Sequence, residues 1–463
     1  MNKNYYIFIS ILISLLFPHK VFNQSKLSIG KNSIVNPSLN YNSTNYNDKN
    51  YWLAASEVFG INILVWANSK YIAKQEWANI SGESISENFK KGFTWDGDSF
   101  VMNQFLHPYH GSAYFNAARS NGLSFWESAP YVLGGSLMWE YAMEIERPSY
   151  NDLLNTTLSG IMLGEITFRL SNLLIDESTS GLERFAREFT STLIDPVKGF
   201  NRLLQGKMWK DGIKNINTKL DIKLSLGVNS LFVERDLSKS YLYSLFMFDM
   251  NYGNKLSVSS HKKPFDHIRI HGEMSFTKRD NIIGISSSGV LWDWKFNAFN
   301  TKKNIFGLYK EFDYLENYVY KFSAASLAGE ITNRTLLSKK IILQTSLGLS
   351  AVFVGGTNSI YSSEVGRDYN LGPGLGMRIF MNLKLTNSLS LNFRYKQFWL
   401  YILNGLSGNE FIGLYNLNLE YKIFRNNSVG LSVIFYERYG IYTHFTDIHS
   451  SNASARIFTK FHL

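Results

Sequence analysis

The feature that most restricts how this chain can fold is a two-residue alternation of apolar and polar side chains that runs from about Ile216 to Leu463. Leu220, Ile222, Leu224, Leu226 and Val228 alternate with Lys219, Asp221, Lys223, Ser225 and Gly227, and the pattern returns in 267–276, 389–396 and 411–422. Successive side chains of an extended strand point to opposite faces, so each segment has one apolar and one polar face. About twelve segments follow, near 219–234, 240–253, 265–278, 281–298, 303–313, 318–334, 340–354, 370–385, 388–403, 411–424, 427–439 and 452–463. Short turns such as Thr386-Asn387 and Asn426-Asn427 alternate with longer connections such as 404–410. A soluble sandwich would alternate in the same way. Strand length favours a membrane barrel, because ~9–11 tilted residues cross a bilayer. The last strand, with Ile457, Phe461 and Leu463 on one face, also resembles the signal by which barrel proteins are recognised for insertion. The expected fold is an α+β membrane protein: a helical domain over 51–210, then an antiparallel transmembrane β-barrel of about 12 strands over 217–463.

The N-terminal region carries different signals. Lys3 followed by an apolar run from Tyr5 to Phe17, broken at Pro18, reads as a signal peptide over 1–24. That run is shorter than the ~20 residues of a spanning helix. Residues 25–50 are rich in Asn and Ser and read as a linker. From Tyr51 the apolar spacing becomes three and four, as in Phe59, Ile63 and Trp66, and again in Leu133, Leu137 and Met138. Ser124 with Glu127, and Ser149 with Asp152, are helix-start signals. Gly160 and Gly164, four apart, would let a neighbouring helix approach closely. Because Glu127, Glu140 and Glu165 interrupt the helices, a compact helical domain is expected and not a transmembrane bundle. An even strand number leaves both barrel ends on the periplasmic side, so this domain is expected to sit beneath the barrel or to fill its lumen.

Composition narrows the function classes. With 0 Cys, disulfides, thiolate metal sites and Cys nucleophiles are excluded. The net charge of +10 is scattered along alternating segments and not gathered in a patch, so no nucleic-acid partner is expected. Outer-membrane lipid or lipopolysaccharide and the barrel-insertion machinery are the expected partners, and a Gram-negative outer membrane is the expected location after export.

The segment HPYHGSAYFNAARSNGLSFWESAPYVLGGSLMWEY from His107, followed by RPSYNDLLNTTLSGIMLGEITFRLS, is the most distinctive stretch, and RFAREFTSTLIDPVKGFNRLLQGK continues it. It resembles the domain-of-unknown-function family 3943, found in proteins of Bacteroidetes and other Gram-negative bacteria. The resemblance implies no reaction.

The ionisable residues of this stretch, His107, His110, Glu140, Glu144, Asp152 and Glu165, are the catalytic candidates. Glu140 and Glu144 share a helix face with Leu133 and Leu137, and Glu165 lies on an apolar stripe with Arg169 four residues on. A carboxylate on an apolar stripe is costly unless paired, and marks either a packing network or a site. As a site, a His general base oriented by a carboxylate would suit a lipid- or glycan-modifying hydrolase. As a network, the same groups would fix helix packing. His-Pro-Tyr-His lacks zinc-protease spacing, so no metal site is expected. No phosphate loop, nucleophile elbow or dinucleotide fingerprint is present, so no cofactor is expected. In the barrel, Lys219, Lys223, Arg269, Arg378, Arg394 and Lys396 fall on polar faces, either paired with Glu273 and Glu420 or lining an anion-favouring channel. The leading expectation is a barrel that binds or passes a small or lipidic envelope ligand; an envelope hydrolase and a structural or assembly protein are the alternatives.

Overall fold

The computed structural model describes residues 49–212, 220–233, 240–255, 263–277, 281–298, 301–338, 340–361, 368–424 and 426–463. The signal peptide and nearly all of the linker lie outside the described residues, as does Lys219. Residues 220–463 form twelve antiparallel strands closed into one barrel in which each strand pairs with its sequence neighbours and β1 pairs with β12. The strands are β1 Leu220–Val233, β2 Ser240–Tyr252, β3 Ile268–Phe276, β4 Asn281–Ala298, β5 Thr301–Glu316 and β6 Lys321–Leu336. They continue as β7 Ile342–Asn358, β8 Tyr369–Lys384, β9 Leu389–Tyr401, β10 Gly408–Phe424, β11 Asn427–Tyr442 and β12 Ile448–His462. Closure leaves no sheet edge, which is the condition for placing strands in lipid.

The alternation fixes which face is which. Charged side chains meet across the interior from strands that are not neighbours: Glu273 of β3 with Arg456 of β12 at 2.8 Å, Asp313 of β5 with Lys396 of β9 at 2.5 Å, and Glu311 of β5 with Arg378 of β8. The opposite face exposes Leu226, Leu347, Leu375, Leu417, Leu431 and Ile457 among others. A polar inside and an apolar outside is the reverse of a soluble barrel and is the arrangement of a transmembrane one. Glu420 pairs with Lys460 and Glu273 with Arg456, so these two of the lumen acids answer to basic residues of β12.

The lumen is filled. Toward the end that carries Glu316, Lys321 and Tyr401, inward-facing Tyr320, Phe322, Phe398, Leu400, Ile412 and Tyr436 form an apolar plug. Beneath it, His271, Glu273, Asp313, Arg394 and Lys396 line a cavity of about 60 Å3, room for a few waters. Paired charges under an apolar plug leave no anion channel among the described residues. In planar lipid bilayers the protein should therefore show no steady ion conductance; porin-like conductance steps would contradict the packed interior.

Among the described residues eight α-helices precede the barrel: α1 Tyr51–Ala67, α2 Gly82–Lys91, α3 His107–Ser120, α4 Phe125–Ala142, α5 Tyr150–Leu154, α6 Gly160–Leu174, α7 Gly181–Ile194 and α8 Pro196–Leu204. The Ser124/Glu127 capping box forms, and the Ser149 hydroxyl accepts the Asp152 N–H. π-Helical turns at Met102–Leu106 and Asn155–Ser159 run into α3 and α6. Gly160 lies against the Gly111 backbone and Gly164 against Phe115, so α3 and α6 cross in near-contact, as the glycine spacing predicts.

The position of the helical region differs from the expectation. It neither sits under the barrel nor enters the lumen; it packs against the outer wall. The ladder-paired strand residues in its two contact clusters point outward: Leu220, Tyr252, Ile268 and Ile270 near one rim, Phe312 midway, and Ile283, Tyr314, Val354, Tyr369 and Leu371 toward the other. The physical reason is shape and charge. The lumen is already occupied by its own ion pairs and aromatic plug, while the outward apolar face offers a surface that α3 and α6 can bury.

Candidate functional site

Three segments converge on one polar cluster. The stretch before the Met102–Leu106 π-helical turn runs beside the start of α5, because Thr94 N–H donates to Pro148 O and Tyr150 N–H to Thr94 O, each at 2.8 Å. This brings Asp96 and Asp98 to Asn151 and Asp152. His107, the first residue of α3, then projects its Nε2 to 3.2 Å from Asp152 Oδ1 and 3.5 Å from Asp98 Oδ2. Asp152 is buried and Asp98 is 46% exposed, so the cluster has a closed side and an open one.

Asn151 organises the closed side. Its Oδ1 accepts from Ser149 Oγ at 2.8 Å and from the Asp96 N–H at 3.1 Å. Its Nδ2 is shared among Asp96 Oδ1 at 2.5 Å, Asn103 Oδ1 at 2.9 Å and Asp152 Oδ1 at 3.0 Å. Asn103 in turn donates to the Tyr369 hydroxyl at 2.7 Å, which ties the cluster to the outer face of β8. Asn404, in the β9–β10 connection, donates to Asp96 O at 3.3 Å.

Electrostatics follow from burial and crowding. Burial, with the hydrogen bond and charge of Asp96, pushes the Asp152 carboxyl well above the usual range. Burial also acts to raise Asp96, but hydrogen bonds from Asp152 and Asn151 outweigh it and hold Asp96 low. Glu140 is pushed up to about 8 by burial, against a hydrogen bond from Ser149 N–H and with the charges of Asp96 and Asp98 adding to the rise. Glu144 is raised by burial and by Glu140. No Lys or Arg pairs with Glu140 or Glu144 among the described residues.

The sequence candidates therefore divide. His107 and Asp152 meet; Glu140 stands within electrostatic reach of Asp152, and Glu144 within reach of Asp96 and Asp98. His110 belongs to a neighbouring relay: its Nε2 lies 2.8 Å from the Tyr114 hydroxyl, which donates to Asn62 Oδ1, and its ring sits edge-on to Trp139. Burial, with His107 nearby, lowers His110 to about 3, so its ring is neutral. Glu165 is apart from both groups. Buried completely, it takes Arg119 Nε at 2.8 Å and Arg169 Nε at 2.7 Å, the expected i,i+4 pair among them. Asp96, Asp98, Asn103 and Asn151 escaped sequence reading because they lie in irregular chain or read as helix-start residues; the one signal for the acids was the turn-like Trp95-Asp96-Gly97-Asp98.

The family model described as domain of unknown function (DUF3943) matches 92–197. Residues 92–197 are a DUF3943 domain. This DUF3943 domain contains the whole cluster, from Asp96 to Asp152, and the Glu165 ion pairs as well. No curated protein matches the chain by sequence. Among solved structures, the chain is similar to OmpT, an outer membrane protein of Vibrio cholerae, at 11% identity over 54% of this chain and 99% of that one, with a TM-score of 0.21. It is similar to the outer membrane channel DcaP of Acinetobacter baumannii at 10% identity over 53% and 98%, with a TM-score of 0.23. With the Pseudomonas putida toluene transporter TodX the identity is 7% over 54% and 90%, with a TM-score of 0.24. The barrel itself stands on the closed ladder and its outward apolar face, and the DUF3943 domain docks on that face.

Proposed function

We propose that this is an outer-membrane protein whose barrel serves as an anchor and whose helical region takes an envelope lipid laterally from the bilayer, presenting its polar head to the cluster around His107. The observation that carries the reading is the docking site. Contacts with the outer wall run from Tyr252 and Ile268 near one rim to Tyr369 and Leu371 near the other, which is the height that lipid would otherwise wet. The region also turns large apolar side chains outward, with Trp52 85%, Leu64 71% and Ile72 77% exposed, as expected of a surface that meets acyl chains. Among the described residues no helix is long and apolar enough to cross a membrane, so these helices lie beside the barrel instead of spanning independently. The polar cluster lies at the Tyr369 rim, tied to Tyr369 and to the β9–β10 connection, where the head of a lipid beside the barrel would meet it. The filled lumen argues against passage through the barrel.

A second reading, an envelope lipid hydrolase, is favoured by one observation: the His107–Asp152 contact at 3.2 Å next to an exposed acid is the arrangement of a general base and its orienting carboxylate.

The absence of native Cys makes the test direct. Leu64→Cys and Ile72→Cys proteins in liposomes should resist a water-soluble maleimide and react once transferred to detergent with accessible tails removed. Lipid extracted with the purified protein should include a phospholipid or lipopolysaccharide in near-stoichiometric amount. Equal labelling in liposomes and in free solution, with no retained lipid, would rule the reading out.

A further inference from the structure

We infer that Asp98, His107 and Asp152 form a binding site for one divalent cation. Each offers one ligand atom, and the three atoms lie within 4.8 Å of one another. The spacing is informative. Two ligands each ~2.0–2.2 Å from a tetrahedral ion stand ~3.3–3.5 Å apart, and the separations here are 3.2 Å for His107–Asp152 and 3.5 Å for His107–Asp98. A charge-assisted N–H···O bond would be ~2.7–2.9 Å, shorter than either contact. Both acids approach the same imidazole nitrogen at distances suited to ligands sharing an ion.

Two further observations agree. The ion pairs of Asp98 and Asp152 are both with His107, so the cluster, with Glu140 and Glu144 near it, gathers several carboxylates around one imidazole. A divalent cation supplies the missing positive charge. Asn155, three residues past Asp152 and four past Asn151 on the same helix face, is 1% exposed, and neither its Oδ1 nor its Nδ2 has a hydrogen-bond partner. A buried amide with nothing to bind is costly, and an ion with its water shell beside Asp152 would satisfy it.

One imidazole and two carboxylates suit a borderline or hard ion such as Zn2+ or Mn2+. Asn151 would act as the outer-shell partner that orients Asp152, through Nδ2 to Oδ1 at 3.0 Å. The exposed Asp98 side leaves coordination positions open to water or to an anionic group. Resting on the lipid reading above, the ion would favour a phosphate-bearing head, but ion binding itself is measured on the protein alone and can fail or succeed independently of lipid.

The experiment uses full-length protein refolded in detergent, stripped with chelator, and titrated separately with Mn2+ and Zn2+. Bound ion is read by metal content after desalting and by the Mn2+ paramagnetic resonance signal. Wild-type protein should retain one equivalent. His107→Ala and Asp152→Asn should lose it, and Asp98→Asn, at the exposed position where misfolding is least expected, should weaken it at least tenfold. His449→Ala, in an exposed pair with Glu437 on the barrel, should bind like wild type. Near-ultraviolet dichroism and the gel shift on boiling establish that each variant is folded. Folded wild-type protein that takes up neither ion at millimolar concentration, or variants that all bind as wild type does, would overturn the site.

Discussion

Arg169→Ala should release the helical region from the barrel wall while leaving the barrel closed. Arg169 is 6% exposed and ties three parts of the molecule together. Its Nε donates to Glu165 at 2.7 Å, and its remaining nitrogens donate to Pro264 O at 2.6 Å, Asp266 at 3.3 Å and the Tyr252 hydroxyl at 3.4 Å. Removing it leaves the fully buried Glu165 carboxylate with Arg119 alone and the half-buried Pro264 carbonyl without its donor. Breaking one side of a buried pair costs about 3–5 kcal/mol. Limited proteolysis should cut within 49–212 at least tenfold faster, while the gel shift of the barrel on boiling is unchanged. Adding Glu165→Gln should not recover the loss, because it takes from Arg119 the carboxylate that its guanidinium pairs with. If Arg169→Ala is as resistant as wild type, the helical region is held by apolar contacts and the ion pairs are incidental.

Gly111→Ala should be the most damaging small substitution in the helical region. A Cβ at Gly111 would lie 1.9 Å from Thr156 O and 3.1 Å from Gly160 Cα, and these are backbone atoms with no rotamer to yield. Overpacking costs about 1–3 kcal/mol when side chains can adjust, and here two helices must separate, so about 3 kcal/mol or more is expected. The consequence reaches the polar cluster, since His107 is one turn before Gly111 and Asp152 one turn before Thr156. Separating the helices draws the imidazole away from the carboxylate. Gly134→Ala is the control: nothing lies within 4 Å of its Cβ, and an Ala inside α4 should be neutral or stabilise by ~0.5–1 kcal/mol. Urea unfolding followed by Trp fluorescence distinguishes the two. Equal midpoints would mean that the α3–α6 crossing is looser than its geometry indicates.

The barrel was legible because its signal is local and repeated. A strand declares its two faces every second residue, and twelve such segments with short turns leave few other closed arrangements. Helix starts at Ser124 and Ser149 were legible for the same reason, since a cap is a contact within four residues. The Gly160/Gly164 spacing announced a close crossing, although not that Gly111 would be its partner.

What the chain could not show locally was where the helical region would dock. Parity of the strands places both barrel ends on one side, and from that the region was expected below or within the lumen. The decisive fact is that lumen-facing charges find partners three and four strands away, as Glu311 does with Arg378 and Asp313 with Lys396, so the interior closes on itself. The site divides in the same way. His107, Glu140 and Asp152 stand out by residue type, but Asp96 and Asp98 join them only through the Thr94–Tyr150 backbone pairing, and Glu165 leaves them for two arginines. Periodicity and capping act over a few residues and are written in the sequence; the meeting of a loop acid, a helix-start histidine and a second helix's aspartate is a property of the packed chain, decided by which surfaces could be buried together.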